Sequence, residues 1–278
     1  MTNIKLPFGL KDDTLVHISE AQQGLACGCV CPSCKERLVA RKGPITVHHF
    51  AHNKGAECAK AVETALHLAA KQILSERREI VLPAVHIAFN AYRDPIPVSA
   101  ERTFSLDEVH AEHRTEDIVP DILAYCRRVP LMIEIRVTHE VDDNKLAKIR
   151  KLGISTIEID LSSISRAFSP DELLDAVVRR TDNKKWVFNA KAEKYKQMLL
   201  ATGERKRSVS RGFATHVDYC PINIRVWKGK SYANVIDDCL YCDFILDVGE
   251  NMKDIICGGK HKIRTLHQLG AFYKQSEA

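Results

Sequence analysis

Ile118-Val-Pro-Asp-Ile-Leu-Ala-Tyr-Cys126, Arg127-Arg-Val-Pro130 and Leu131-Met-Ile-Glu-Ile-Arg-Val137 are the stretch that decides the fold. The outer runs have the apolar, β-branched character of strands, and a short basic, Pro-containing break separates them. A turn centred near Arg127 and Arg128 sets Asp121 opposite residues 134 to 136. Period-2 alternation then puts Glu134 and Arg136 on one face, with Asp121 close by. Two acids and a base on an otherwise apolar hairpin are costly unless paired or used. A divalent cation is one such use, since Mg²⁺ takes one or two carboxylates plus substrate phosphates.

Working outward, Asp142 to Leu152 reads as a short amphipathic helix that Gly153 ends in the left-handed position glycine fills well. Ser155-Thr-Ile-Glu-Ile-Asp-Leu161 is a further strand. Strand, strand, helix, strand implies a mixed α/β sheet whose last two strands, joined by a helical crossover, run parallel. Ser169-Pro-Asp-Glu-Leu is a helix start, with Ser169 as cap and Pro170 at the first position. Upstream, residues 4 to 19 read as a hairpin, residues 60 to 78 as a helix and residues 79 to 90 as a strand. Downstream, Lys185 to Leu200 reads as a helix. Gly203-Glu-Arg-Lys-Arg-Ser-Val-Ser-Arg-Gly212 reads as a flexible linker.

At 278 residues the chain can bury a sizeable core in two or three domains. No apolar run approaches a membrane span, and Met1-Thr-Asn-Ile-Lys-Leu-Pro-Phe lacks a signal-peptide core, so the expected location is cytoplasmic. The formal net charge is +5. Between Lys184 and Arg211 nine Lys or Arg stand against two Glu, a concentration of charge that suits a phosphate backbone, or a solvated helix and linker.

The ten cysteines, without a signal peptide, point to metal rather than disulfides. Cys31-Pro-Ser-Cys34 has zinc-knuckle spacing, and His48-His49-Phe-Ala-His52 and Cys58 follow it. The first-choice ligand set is Cys31, Cys34, His52 and Cys58, with His49 the strongest substitute and Cys27 and Cys29 able to compete. The second group is Cys220, Cys239, Cys242 and Cys257, a zinc-ribbon-like set with His216 as a fifth candidate. Around it Arg225, Trp227, Lys228, Lys230 and Tyr232 mix bases with aromatics, as nucleic-acid surfaces do. Cys126, alone in the hairpin, reads as a small buried residue. Glu63, His67 and Lys71 fall at i, i+4 and i+8 on one helical face, which reaches the acidic hairpin if the helix packs on the sheet; by spacing alone the favoured reading is an exposed polar stripe.

Taken in order, these pieces resemble the CoiA-like competence protein family, a branch of the PD-(D/E)xK nuclease superfamily. The resemblance rests on Cys31-Pro-Ser-Cys34, His49-Phe-Ala-His52, a following Cys, the Glu63/His67/Lys71 helix, Pro120-Asp121 and Glu134-Ile-Arg136, and it covers roughly residues 5 to 165. It implies a restriction-endonuclease-like mixed-sheet core over residues 60–182. An N-terminal zinc module (1–59) would precede that core. A basic helix and linker (183–212) and a C-terminal four-cysteine, zinc-ribbon-like module (213–278) would follow it. By the same resemblance Asp121 and Glu134 would bind Mg²⁺ or Mn²⁺, with Glu63 assisting. The family's usual Lys or Gln is here Arg136, which cannot act as a base but can stabilise transition-state charge. Lys145, on the next helix, is placed to supply a lysine, and His139 is a possible proton shuttle.

The expected activity is metal-dependent cleavage of single- or double-stranded DNA in bacterial DNA processing or defence, with two structural Zn²⁺ ions. The alternatives are a non-catalytic nucleic-acid-binding protein with a degenerate core, favoured by Arg136, or an interaction adaptor in a defence system. A protein partner or a homo-oligomer is compatible with all three.

Overall fold

A computed structural model describes residues 5–55, 58, 60–112, 114–138, 140–164 and 169–276. The chain forms two compact units. One comprises residues 1–83 and 101–188; the other comprises 84–100 and 189–278. Both are mixed α/β, and among the described residues no helix is long and apolar enough to cross a membrane.

The first unit starts with two small hairpins. Strands β1 (Phe8–Lys11) and β2 (Thr14–His17) join through Asp12 and Asp13, both at positive φ, as a tight two-residue hairpin turn requires. Strands β3 (Leu38–Arg41) and β4 (His49–His52) pair antiparallel, and Leu6 bridges to Phe50. Helix α1 (Ala61–Arg77) follows and buries Ala65, Leu66, Ala69, Ala70 and Leu74. These residues recur at three- and four-residue spacing, so one stripe faces the core.

The span 79–90, expected to be one strand, is two short ones. Strand β5 (Glu79–Leu82) pairs with β8 (Arg102–Ser105) in the first unit. Strands β6 (Val85–Ile87) and β7 (Ile96–Ser99) form a hairpin that belongs to the second. Pro83 separates β5 from β6; it offers no backbone donor to continue a ladder.

The central sheet of the first unit contains β9 (Glu108–Ala111), β10 (Ile122–Cys126), β11 (Val129–Arg136), β12 (Ser155–Asp160) and β13 (Lys184–Phe188), in the order β13-β12-β11-β10-β9. Strands β11 and β12 are parallel, connected by helix α2 (Asp143–Leu152); the other neighbours are antiparallel. The turn between β10 and β11 is where the sequence places it: Cys126 pairs with Val129, and Arg127 and Arg128 both have positive φ. Asp142 caps α2 through the Lys145 amide, and Gly153 ends it at φ 67°. Ser169 and Glu172 form a capping box at helix α3 (Pro170–Leu174). The core beneath the sheet gathers Ile122, Ile133, Ile157 and Ile159 with the buried stripe of α1.

Two expectations are corrected here. Lys185 does not begin a helix: Lys184–Phe188 is the edge strand β13, and helix α4 (Ala190–Ala201) starts at the Asn189 cap. The supposed linker is strand β14 (Glu204–Arg211), paired with β15 (Ala214–Asp218) on one side and β19 (Asp254–Cys257) on the other. Its side chains are polar because they mostly face solvent; its ladder partners, not its composition, make it a strand.

The second unit's six-stranded sheet adds β16 (Arg225–Trp227), β17 (Lys230–Asn234) and β18 (Ile245–Val248), in the order β16-β17-β15-β14-β19-β18. Helix α5 (Leu266–Ser276) closes the chain. Ile87 and Ile96 of the inserted hairpin pack into this unit's core with Leu199, Leu246 and Leu269.

Candidate functional site

The acidic hairpin is assembled from both ends. Asp121 immediately precedes β10, and the register Ile122 to Ile133 carries it alongside Glu134. The Ile135 amide donates to Asp121 Oδ2 at 2.9 Å. On the other side Asp121 Oδ1 lies 3.4 Å from His67 Nδ1 and 3.1 Å from Lys71 Nζ. The polar stripe of α1 therefore faces the hairpin rather than solvent. Glu63, its first member, accepts a 2.7 Å hydrogen bond from Thr138 Oγ1, just beyond β11, rather than joining Asp121 or Glu134 directly.

Glu134 is buried, at 4% exposure, and Lys145 Nζ reaches its Oε2 at 2.6 Å. Its other oxygen, Oε1, is buried with no hydrogen-bond partner among the described residues. A carboxylate atom left unpaired in the interior is expensive, so it marks a place where a donor or cation fits.

Environment drives the two acids apart. Burial pushes Glu134 up to about 7, against the partial counterweight of Lys145. Burial also acts on Asp121, but hydrogen bonds from His67 and the Ile135 amide, with the Lys71 charge, outweigh it and hold Asp121 well below the usual carboxylate range. Lys71 is itself buried. Glu112, 2.9 Å away, and Asp121 more than offset that burial and keep the ammonium above its ordinary value. Near neutrality the site thus holds one firmly ionised carboxylate and one poised between its two forms.

Arg136 takes another course. Its guanidinium pairs with Glu140 at 2.7 Å and Asp160 at 3.3 Å, and among the described residues it forms no ion pair with Asp121 or Glu134. Lys145, not Arg136, is the cation at Glu134. His139 lies outside the described residues.

Two acids escaped the sequence reading. Glu112 follows β9, and its amide donates to the Asp121 carbonyl. Glu158 on β12 pairs in register with Glu134, is buried, and accepts from the Val141 amide at 3.2 Å. The signal for Glu158 was present: Ile157-Glu-Ile159 repeats Ile133-Glu-Ile135 on the neighbouring parallel strand. Glu112 lies in an acidic, His-rich loop and carries no such pattern.

A second constellation lies in the N-terminal hairpins. The ligand atoms of Cys31, Cys34, His52 and Cys58 all fall within 4.8 Å of one another, the one such group among the described residues. Cys31 and Cys34 flank a tight turn closed by Lys35 N to Cys31 O and Cys31 N to Glu36 O. His52 ends β4, with Nε2 3.3 Å from Cys34 Sγ. Cys58 stands before α1, where Ala61 N donates to its carbonyl. Burial pushes the Cys31 thiol up to about 11, whereas a hydrogen bond from Ser33 outweighs burial and lowers Cys58. Three thiols and an imidazole at this spacing can hold a metal ion such as zinc in a closed tetrahedral site. His49 is not part of the group: its Nδ1 faces the Val47 carbonyl at 2.8 Å. Nor are Cys27 and Cys29, which are buried and bonded to the Leu38 and Cys27 carbonyls.

Residues 15–61 match the family model of the competence protein CoiA N-terminal domain. The CoiA match contains all four clustered ligands and ends where α1 begins, before any residue of the acidic site. No curated protein and no solved structure matches the chain.

In the second unit Cys220, Cys239, Cys242 and Cys257 line one cavity, though their sulfurs are not drawn together as tightly as the N-terminal set. His216 lies in β15 beside Tyr232.

Proposed function

We propose that the site around Asp121 and Glu134 hydrolyses phosphodiester bonds in DNA with the help of Mg²⁺, as the nuclease-like core that the sequence resemblance implies. The observation that carries this reading is Glu134: a buried carboxylate with one oxygen unpartnered, a lysine on the other, and an ionised Asp121 alongside. That donor set, hard carboxylate oxygens, suits Mg²⁺ or Mn²⁺. Held by Asp121 and Glu134, the cation would supply an acidified water and offset charge on the phosphate.

The chain's own residues account for the rest. Lys71 and His67 hold Asp121 ionised and oriented, and the Ile135 amide fixes its second oxygen. Lys145 brings a fixed positive charge to the edge of the site, where it stabilises a phosphate gaining negative charge. Burial raises Glu134, and it has to give up its proton to act as a ligand, so cation binding tightens as pH rises. Glu63 acts through Thr138, as a positioning residue. The N-terminal Cys/His cluster, with structural zinc, ties the first hairpins to the start of α1, the helix that carries His67 and Lys71.

The second reading is a nucleic-acid-binding protein that no longer cuts. Arg136, engaged with Glu140 and Asp160 where a catalytic lysine or glutamine would stand, favours it. Both readings belong to DNA processing or defence in a bacterial cytoplasm. Incubation of plasmid and single-stranded DNA with Mg²⁺ or Mn²⁺ separates them. The nuclease reading expects cutting by the wild type and none by folded Asp121→Ala or Glu134→Gln. Equal behaviour of wild type and Asp121→Ala on single-stranded, double-stranded and modified DNA refutes it.

A further inference from the structure

We infer that the second unit carries its own zinc ion, held by Cys220, Cys239, Cys242 and Cys257. The unit comprises residues 84–100 and 189–278, and these four are all the cysteines it has. They come from three separate places in the chain. Cys220 lies just after β15, Cys239 and Cys242 bracket the end of a π-helical turn (Val235–Cys239), and Cys257 ends β19. All four nonetheless line one cavity of about 20 Å³, large enough for a single ion. Three separate places in the chain thus bring cysteines to the wall of one small cavity.

The local backbone supports the assignment. Cys239 and Cys242 are joined by a turn, with Cys242 N donating to Cys239 O at 3.1 Å, and the Phe244 amide points at Cys242 Sγ at 3.4 Å. An amide directed at sulfur stabilises a thiolate, the form that binds metal. Gly259 packs against Cys257 with no room for a side chain: a Cβ there would stand 2.7 Å from Pro221 and 3.3 Å from Cys257 Sγ. The loops carrying Cys220 and Cys257 are therefore pressed together at the cavity wall. Lys206 lines the same cavity, so its ammonium balances part of the negative charge of four thiolates around a divalent ion. On binding, each thiol releases its proton to solvent and forms one sulfur–zinc bond. Four sulfurs and no open position make the site structural, and it staples a unit whose local core is small.

The test uses the intact chain. Elemental analysis should give about two zinc ions per chain for the wild type, and about one for Cys31→Ser with Cys34→Ser. Peptide-resolved alkylation reads each site without any variant. Cys220, Cys239, Cys242 and Cys257 should resist labelling together and become reactive together on adding a chelator. A wild-type content near one zinc ion, with these four labelled at the rate of free thiols, overturns the assignment. So does protection that a reductant removes and a chelator does not, which would mean disulfides. Neither result bears on DNA cleavage by the first unit.

Discussion

Replacing Glu134 by Gln should make the first unit more stable at alkaline pH and leave it unchanged at acid pH. In the folded chain burial raises Glu134 from 4.5 to about 7. The folded state therefore binds a proton more tightly than the unfolded state. Stability from this group is fully present below about pH 4.5 and is lost as pH rises through 7. At roughly 1.4 kcal/mol per unit, the loss is on the order of 3 kcal/mol by about pH 8. Gln keeps the shape and an acceptor for Lys145 but cannot ionise, so the variant escapes that loss. Urea unfolding in Mg²⁺-free buffer at about pH 4.5 and about pH 8 measures it. Of the two tryptophans, Trp186 lies in β13 and donates to the Pro83 carbonyl within the first unit. A Trp227→Phe background makes its fluorescence a reporter of that unit alone. Comparing the two proteins cancels the histidine titrations common to both. If the gap between them does not widen between the acid and the alkaline buffer, Glu134 is not the strained acid described here.

Three further outcomes follow from the geometry. Lys145→Met should lower cleavage by roughly 100-fold, whereas Arg136→Lys should change it by less than about 3-fold, both measured at saturating Mg²⁺; the reverse order would return the charge-stabilising role to Arg136. Replacing Arg127 and Arg128 by Asn-Gly should raise stability by about 1 kcal/mol in denaturant titration, because both positions have positive φ and that pair adopts it with least strain. Chelation should open the exposed ligand Cys34 and the half-buried Cys58 to alkylation while leaving the buried Cys27 and Cys29 slow to react.

Local chemistry was the legible part of this sequence. The Arg127–Arg128 turn, the Gly153 stop, the Ser169 cap and the parallel β11–β12 pair all follow from residue type and spacing, and the structure has them. The four clustered ligands Cys31, Cys34, His52 and Cys58 were the first-choice set for the same reason: a knuckle spacing leaves little freedom. Long-range placement was not legible. Spacing alone favours an exposed α1 stripe, because it says which residues share a face and not what that face meets; the ordered resemblance, not the spacing, points that face to the acidic hairpin. Residues 204–211 are polar enough to pass for a linker, since the sheet that holds them comes from chain beyond them. Parity puts Arg136 on the acidic face. Parity could not reveal Asp160, its in-register partner on β12, or Glu140, which draw the guanidinium to themselves.

The β6–β7 hairpin makes the chain pass between the two units three times, at residues 83/84, 100/101 and 188/189. The units are consequently not beads on a string. A stop codon after Phe188 would keep every residue of the acidic site yet leave Ile87 and Ile96 without the core that covers them. During synthesis the same hairpin emerges well before Leu199, Leu246 and Leu269, the residues it packs on. For that interval its apolar face lacks its final neighbours, so residues 84–100 complete their packing only after most of the chain has been made.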